Sequence, residues 1–453
     1  MLIKFARCLS ILSAIAGPTI IGASLCSAQE VTQFRGSSAS GVASNLSIPH
    51  QWSPDSNIAW RCDLPGSGWS QPVIRGNQLF ITAAVSDDDS LKPKDFAGGV
   101  RTPQSMGMGF MSKAPKVNVQ WKLFCIDTAS GSIVWDTAIH TGKPKYAVHP
   151  SNTYATETPV VTDNAVVAFF GATGSVAAFT LSGEPMWQRE FGAQPTSNSF
   201  GTGSSLATDG ERVFLQHFTQ KTSDLYALDS ATGETVWKAN RDSNNTSWST
   251  PLLWNNDVRS ELVVSGGSQV DSFDPVTGEK LWTLSNVKAA TACSVCGDSK
   301  RIYFGGSDPF SSGPLFGVSA GASGDISPSK KNATFTSCAW KADKSAPGMA
   351  SPVSTGKHVY VAEKNIIRCY DAETGQRVFR ERVPGLGMVA ASPLIVGDDV
   401  LLVDEAGKSA LISADGTFKV TGNGDIADTV WSTPAATDGS IYIRGVGGLY
   451  CIR

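Results

Sequence analysis

From about Gln33 to the C-terminus, apolar and polar residues alternate in short runs of β type, and two turn signatures punctuate them at a regular interval. One signature opens each unit as a hydroxyl residue, a spacer, proline and two apolar residues. Copies are Ser70-Gln71-Pro72-Val73-Ile74, Glu157-Thr158-Pro159-Val160-Val161, Ser249-Thr250-Pro251-Leu252-Leu253, Ala350-Ser351-Pro352-Val353, Ala391-Ser392-Pro393-Leu394-Ile395 and Ser432-Thr433-Pro434-Ala435-Ala436. Degenerate copies fall at Ser204-Ser205-Leu206, with Ser205 in the proline slot, and at Cys293-Ser294-Val295-Cys296. The other signature closes each unit as a small residue, any residue, Asp, a turn ending in Gly, and an aromatic residue four positions later. Ala227 to Trp237 is the clearest copy, with Asp229 and Gly233; Cys125 to Trp135, Ala178 to Trp187, Ser272 to Trp282 and Cys369 to Phe379 follow it. Asp satisfies turn amides with its side chain, Gly accepts a positive φ, and the aromatic ring returns on the next strand to cover the small residue opposite.

The units start 41 to 57 residues apart, except for a first interval of 87. Eight units of about four short strands each predict an all-β, eight-bladed β-propeller of four-stranded antiparallel blades. The last unit stops after Leu449-Tyr450-Cys451-Ile452 without its Trp strand, whereas Asn57-Ile58-Ala59-Trp60-Arg61 is an orphan Trp strand ahead of the first unit. The chain ends therefore close one blade together, with Trp60 opposite Cys451, and remove two sheet edges. The expected organisation is a signal peptide over 1–28, an N-terminal extension over 29–56 and the propeller over 57–453, with an insertion over 86–120.

These residues are similar to the pyrroloquinoline-quinone-type repeat, whose tryptophan docking motif is the closing signature. The resemblance implies an eight-bladed propeller, as in quinoprotein alcohol dehydrogenases and the propeller lipoprotein of outer-membrane β-barrel assembly. The stretches Gln33-Phe34-Arg35-Gly36, His149 to Ala155, Trp248 to Pro251 and Leu449 to Ile452 resemble a group of exported, planctomycete-type bacterial propellers of this superfamily. A propeller is a scaffold for many unrelated activities, so the resemblance carries the fold further than the function.

Composition narrows the classes. Of 453 residues, 41% are hydrophobic and 17% charged, which supports a large packed core, and a net charge of −3 with interspersed signs excludes a dedicated nucleic-acid binder. Lys4 and Arg7, an apolar run from Cys8 to Leu25 broken by Gly17 and Pro18, and small residues at Cys26-Ser27-Ala28 read as a secretory leader. The mature chain is expected to be exported, periplasmic or secreted, monomeric, and without membrane insertion. Cys62, Cys125, Cys293, Cys296, Cys338, Cys369 and Cys451 remain, an odd and irregular set that argues against a disulfide framework.

Candidate chemistry is sparse. A quinone enzyme would resemble its family further in an adjacent Cys-Cys pair, a Glu/Asn/Asp set on Ca²⁺ and an Asp base. This chain has no adjacent cysteines, and Cys293 and Cys296, three apart on a strand, would face opposite sides. The five histidines form no metal motif, and no nucleophile elbow or phosphate loop is present. Residues entering the innermost strands, Trp69, Glu157, Trp248, Ala350, Ala391 and Trp431, are expected to ring one mouth of the channel. Trp69, His149, Glu157, Arg241, Trp248, Trp431 and Arg444 are the candidate ligand-binding residues, with the tryptophans either stacking a ligand or sealing gaps between blades. The insertion brings Met106, Met108, Phe110 and Met111 as an adaptable contact surface or a plain surface loop. No catalytic residue, metal or cofactor is expected. The reading is an exported, non-catalytic scaffold that binds a protein, peptide or other ligand in the cell envelope. The alternatives are a quinone-dependent oxidoreductase with Ca²⁺, and a propeller sensing carbohydrate or peptide.

Overall fold

The structure, a computed structural model, describes residues 30–44, 46–94, 108–241, 246–285, 292–308, 311–328 and 337–453. The expected leader over 1–28 and Met106 lie outside the described residues. The strands make up eight sheets, each running outward from a short inner strand through antiparallel neighbours. Seven sheets take their core strands from one stretch of chain each. The remaining sheet joins Ile58–Cys62 to Ala435–Thr437, Ser440–Arg444 and Leu449–Ile452, with Trp60 opposite Cys451.

The composite blade is the one expected from the chain ends, but the expectation of an eight-bladed propeller of uniformly four-stranded antiparallel blades is corrected: one sheet has six strands and another five, and the added strands pair in parallel. The N-terminal extension adds Val42–Ala43 to the inner edge and Gln51–Trp52 to the outer edge of the sheet over Leu394–Asp425, both in parallel. Gly324–Asp325 adds in parallel to the outer edge of the sheet that ends at Lys280–Ser285. The extension is thus woven into the propeller, because an exposed strand edge is a row of unpaired amides and carbonyls that a spare segment can satisfy.

The closing signature does more than its hairpin. Ala227 pairs with Trp237, Cys125 with Trp135, Ser272 with Trp282 and Cys369 with Phe379, so each ring covers the small residue opposite. Most of these rings also reach the next blade: Trp60, Trp135, Trp187 and Trp237 donate their indole N–H to the carbonyls of Thr128, Leu181, Ser230 and Pro275. A Cβ on Gly233, whose φ is +73°, would sit 2.5 Å from the Trp187 ring. That Gly is therefore fixed twice, by the turn and by the neighbouring blade's tryptophan. Trp282 departs from the pattern and donates to Glu261 Oε2 at 2.7 Å within its own blade.

The opening signature forms a belt around the channel. The backbone N–H of Gln71 donates to Thr158 Oγ1, that of Thr158 to Ser205 Oγ, that of Ser205 to Thr250 Oγ1, and that of Thr250 to Ser294 Oγ, at 2.9 to 3.1 Å. The series continues from Ser294 to Ser351, Ser392 and Thr433 at 2.9 to 3.2 Å. A proline follows most of these hydroxyl residues because the chain there is extended and the missing N–H is not needed. The belt aligns Ser205 with Thr158, so Leu206, not Ser205, fills the proline slot.

One end of the channel is crossed by the N-terminal segment. Val31 bridges Ile74, Thr32 accepts from the Val161 N–H, Gln33 Oε1 accepts from the Thr208 N–H, and the Gly41 carbonyl accepts from Ile395.

Candidate functional site

The other end is the mouth, and it gathers an aromatic arc from several blades. Trp69 and Trp431 stack with centroids 6.4 Å apart and planes 28° from parallel. Trp69 Nε1 donates to the Ser151 carbonyl at 2.8 Å, and Ser151 Oγ lies 2.7 Å from His149 Nδ1. His149 then meets Phe200 at 5.7 Å, and Phe200 meets Trp248 edge-on at 5.8 Å. Trp248 Nε1 donates to the Gly201 carbonyl at 2.6 Å. Trp248, Trp431, His149 and Phe200 are partly exposed, whereas Trp69 is buried. The tryptophans therefore both pack between blades and offer ring surface at the rim.

A short loop holds this arc in place. Asn152 donates to the carbonyls of Phe200 and Thr202, and its Oδ1 accepts from the Tyr154 N–H at 2.8 Å. Tyr154 has a positive φ of 61°, a conformation held by that side-chain turn. The sequence named His149 and the stretch through Asn152 but missed Phe200, which lies in an irregular segment without a repeat to mark it.

Glu157 sits beneath the rim rather than on it. Neighbouring residues on an extended chain point to opposite sides, and Glu157 is one position beyond the slot that Trp69, Trp248 and Trp431 share. Its expected place in the mouth ring is corrected accordingly, and so are those of Ala350 and Ala391, both buried. Glu157 Oε1 accepts from the Gly171 N–H at 3.3 Å, and burial pushes its carboxyl up to about 7. Arg444, equally buried, donates to Ser70 Oγ at 2.7 Å and to the Thr82 carbonyl, while Thr82 Oγ1 donates to the Glu157 carbonyl at 3.0 Å. Burial lowers the Arg444 guanidinium to about 9.

Arg241 stands apart as a structural group. It pairs with Asp271 at 2.6 Å, donates to the carbonyls of Gly266 and Gln269, and lies 4.8 Å over the Phe218 ring. Cys293 and Cys296 are buried thiols, both pushed up to about 12 by burial. Cys293 precedes the strand that begins at Cys296, and both thiols act on the Arg35 guanidinium. His217 is buried against Phe191.

The insertion belongs to the mouth face. Gly109–Met111 packs on Ser197–Ser199, with Ser199 Oγ donating to the Gly109 carbonyl at 3.0 Å, and the Lys94 N–H donates to the Pro150 carbonyl. Phe110 is 83% and Met111 60% exposed there. On the opposite face a groove of about 1110 Å³ runs between Glu30–Ser37 and hairpins carrying Asp163, Asp209 and Arg212, whose charges are paired locally. Among the described residues, no three His, Cys, Asp or Glu side chains are grouped so as to hold a metal ion, and no helix is long and apolar enough to cross a membrane.

Comparison with solved structures places this geometry among known propellers. BamB from Moraxella catarrhalis superposes with a TM-score of 0.55 at 12% identity, covering 87% of this chain and 98% of its own. The quinohemoprotein alcohol dehydrogenase from Comamonas testosteroni gives 0.56 at 12% identity, with 93% and 80% covered. Saccharomyces cerevisiae Sqt1 gives 0.54 at 12% identity, with 74% and 92% covered. Identities this low speak for the fold alone. No curated protein matches the chain in sequence. The family profile described as outer membrane protein assembly factor BamB matches residues 172–324 and 332–452, more than half of the chain. With the tryptophan docks, the hydroxyl belt and the composite blade all in place, the chain belongs to the BamB family of pyrroloquinoline-quinone-like β-propellers.

Proposed function

We propose that the chain is an exported, non-catalytic scaffold of the cell envelope that docks a protein partner on its mouth face. The observation that carries this reading is the asymmetry of the two ends. One end is crossed by the chain's own residues 31–41, whereas the other presents Trp248, Trp431, Phe200, Phe110 and Met111 around the rim. Such side chains on a firm frame suit protein contacts, since aromatic rings bury much apolar area with few rotatable bonds and the flexible methionine adapts to the surface it meets. The family's description, an outer-membrane protein assembly factor, supports a protein partner in the envelope. Export rests on the leader-like sequence over Met1 to Ala28.

The donor set at the mouth does not fit a Ca²⁺-bound quinone. Glu157 is buried and turned to Gly171, Arg444 is spent on Ser70 and Thr82, and Cys293 and Cys296 lie inside the channel against Arg35. Calorimetric titration of the purified protein with pyrroloquinoline quinone and Ca²⁺, beside a dye-linked alcohol oxidation assay, tests this. We expect no saturable heat and no dye reduction; one-to-one binding with turnover would overturn the scaffold reading.

A further inference from the structure

Arg35 spans the channel. Its backbone N–H donates to Gln71 Oε1 at 2.6 Å, and its Nη2 reaches the carbonyl of Pro352, which belongs to a distant blade, as well as that of Ser40 at 3.0 Å. The residue is 1% exposed, and the loop folds back over it through a Gly41 N–H bond to the Arg35 carbonyl at 2.8 Å. Nε and Nη1 of this guanidinium meet no oxygen or nitrogen acceptor among the described residues, and the Cys296 thiol is the side chain that hydrogen-bonds to the group.

The side chains nearest the cation supply no negative charge. Cys293 and Cys296 are thiols that burial keeps neutral. Glu30 shares a small cavity with Arg35, but its carboxylate lies 3.7 Å from Arg75. A buried cation whose partners are neutral carbonyls and thiols is costly unless a counter-charge joins it. The cavity lined by Arg35 and Gln71 is about 20 Å³, room for one water-sized sphere and too little for a phosphate.

We propose that the channel holds one chloride-sized inorganic anion against Nε and Nη1 of Arg35, and that this anion fastens the N-terminal segment across the propeller. A water molecule in the same space would bond to the guanidinium and leave its charge uncompensated. The site is independent of the mouth and of any partner.

The test exchanges gluconate, too large for the cavity, for chloride at constant ionic strength while Tm is followed, and locates bromide by anomalous scattering in crystals soaked with sodium bromide. Wild-type protein is expected to gain about 3 °C in a saturable way, and a bromide peak is expected beside Arg35 Nε. Arg35→Met and Arg35→Gln are expected to lose the chloride response. An equal response in wild type and variants, or no bromide at Arg35, overturns the proposal. Should the variants fail to fold, the bromide position in wild-type crystals decides alone.

Discussion

Arg444 Nη1 meets Ser70 Oγ at 2.7 Å across the seam where the last blade joins the first. The guanidinium is fully desolvated, so each neutral acceptor it finds carries weight, and a hydrogen bond to a charged group contributes about 2 kcal/mol. Ser70→Ala is expected to destabilise the protein by about 2 kcal/mol in urea unfolding. In a double-mutant cycle with Arg444→Met the two losses should overlap rather than add. Fully additive losses would place the seam's stability elsewhere.

The Glu157 carboxyl gives the fold a pH dependence of known sign. Burial raises it from an ordinary 4.5 to about 7. Below about 4.5 both folded and unfolded states hold the proton. As pH climbs toward 7 the unfolded chain releases it first, so stability falls across that window and levels off above it. The loss amounts to about 3 kcal/mol. Glu157→Gln keeps an acceptor for the Gly171 N–H and removes the charge, so its unfolding free energy should stay flatter between pH 5 and pH 8 and exceed wild type at pH 8. Parallel profiles for the two proteins would show that Glu157 is solvated.

The hydroxyl belt predicts a graded response. Thr250→Val preserves shape but leaves the Ser205 N–H without its partner at a buried position, a cost of about 2 kcal/mol. Thr250→Ser retains the acceptor and is expected to lose less than about 1 kcal/mol. Equal losses for the two substitutions, measured by chemical denaturation, would assign the effect to packing of the methyl group.

The repeating parts of this molecule were legible because each copy in the sequence repeats one physical solution. Asp229, Gly233 and Trp237 specify a turn, a positive φ and a covering ring, and the register of Ala227 against Trp237 follows from their spacing. The composite blade was readable from the orphan Trp60. What occurs once left no such trace. Residues 42–43 and 51–52 lengthen a blade by parallel pairing, which depends on a free edge elsewhere in the chain. Phe200 joins the rim from an irregular segment, and Arg35 enters the channel from outside the repeats. Glu157 was placed one register off, since the motif gave its neighbours but not the side to which it turns. Arg241 was chosen for its charge, and its partner Asp271 lies on the adjacent blade's strand Gln269–Phe273.

The claim that the mouth face docks a protein partner is tested most directly by placing a photo-crosslinking amino acid at Met111 on that face and, separately, at Val276 in the groove opposite. Both positions are exposed, at 60% and 55%. Illumination of cells exporting the protein should give one discrete adduct from position 111 and none from position 276. The adduct should disappear when Trp248→Ala and Trp431→Ala are combined in a protein that still folds. Adducts from position 276 alone, or an adduct at 111 indifferent to the two tryptophans, would contradict the account.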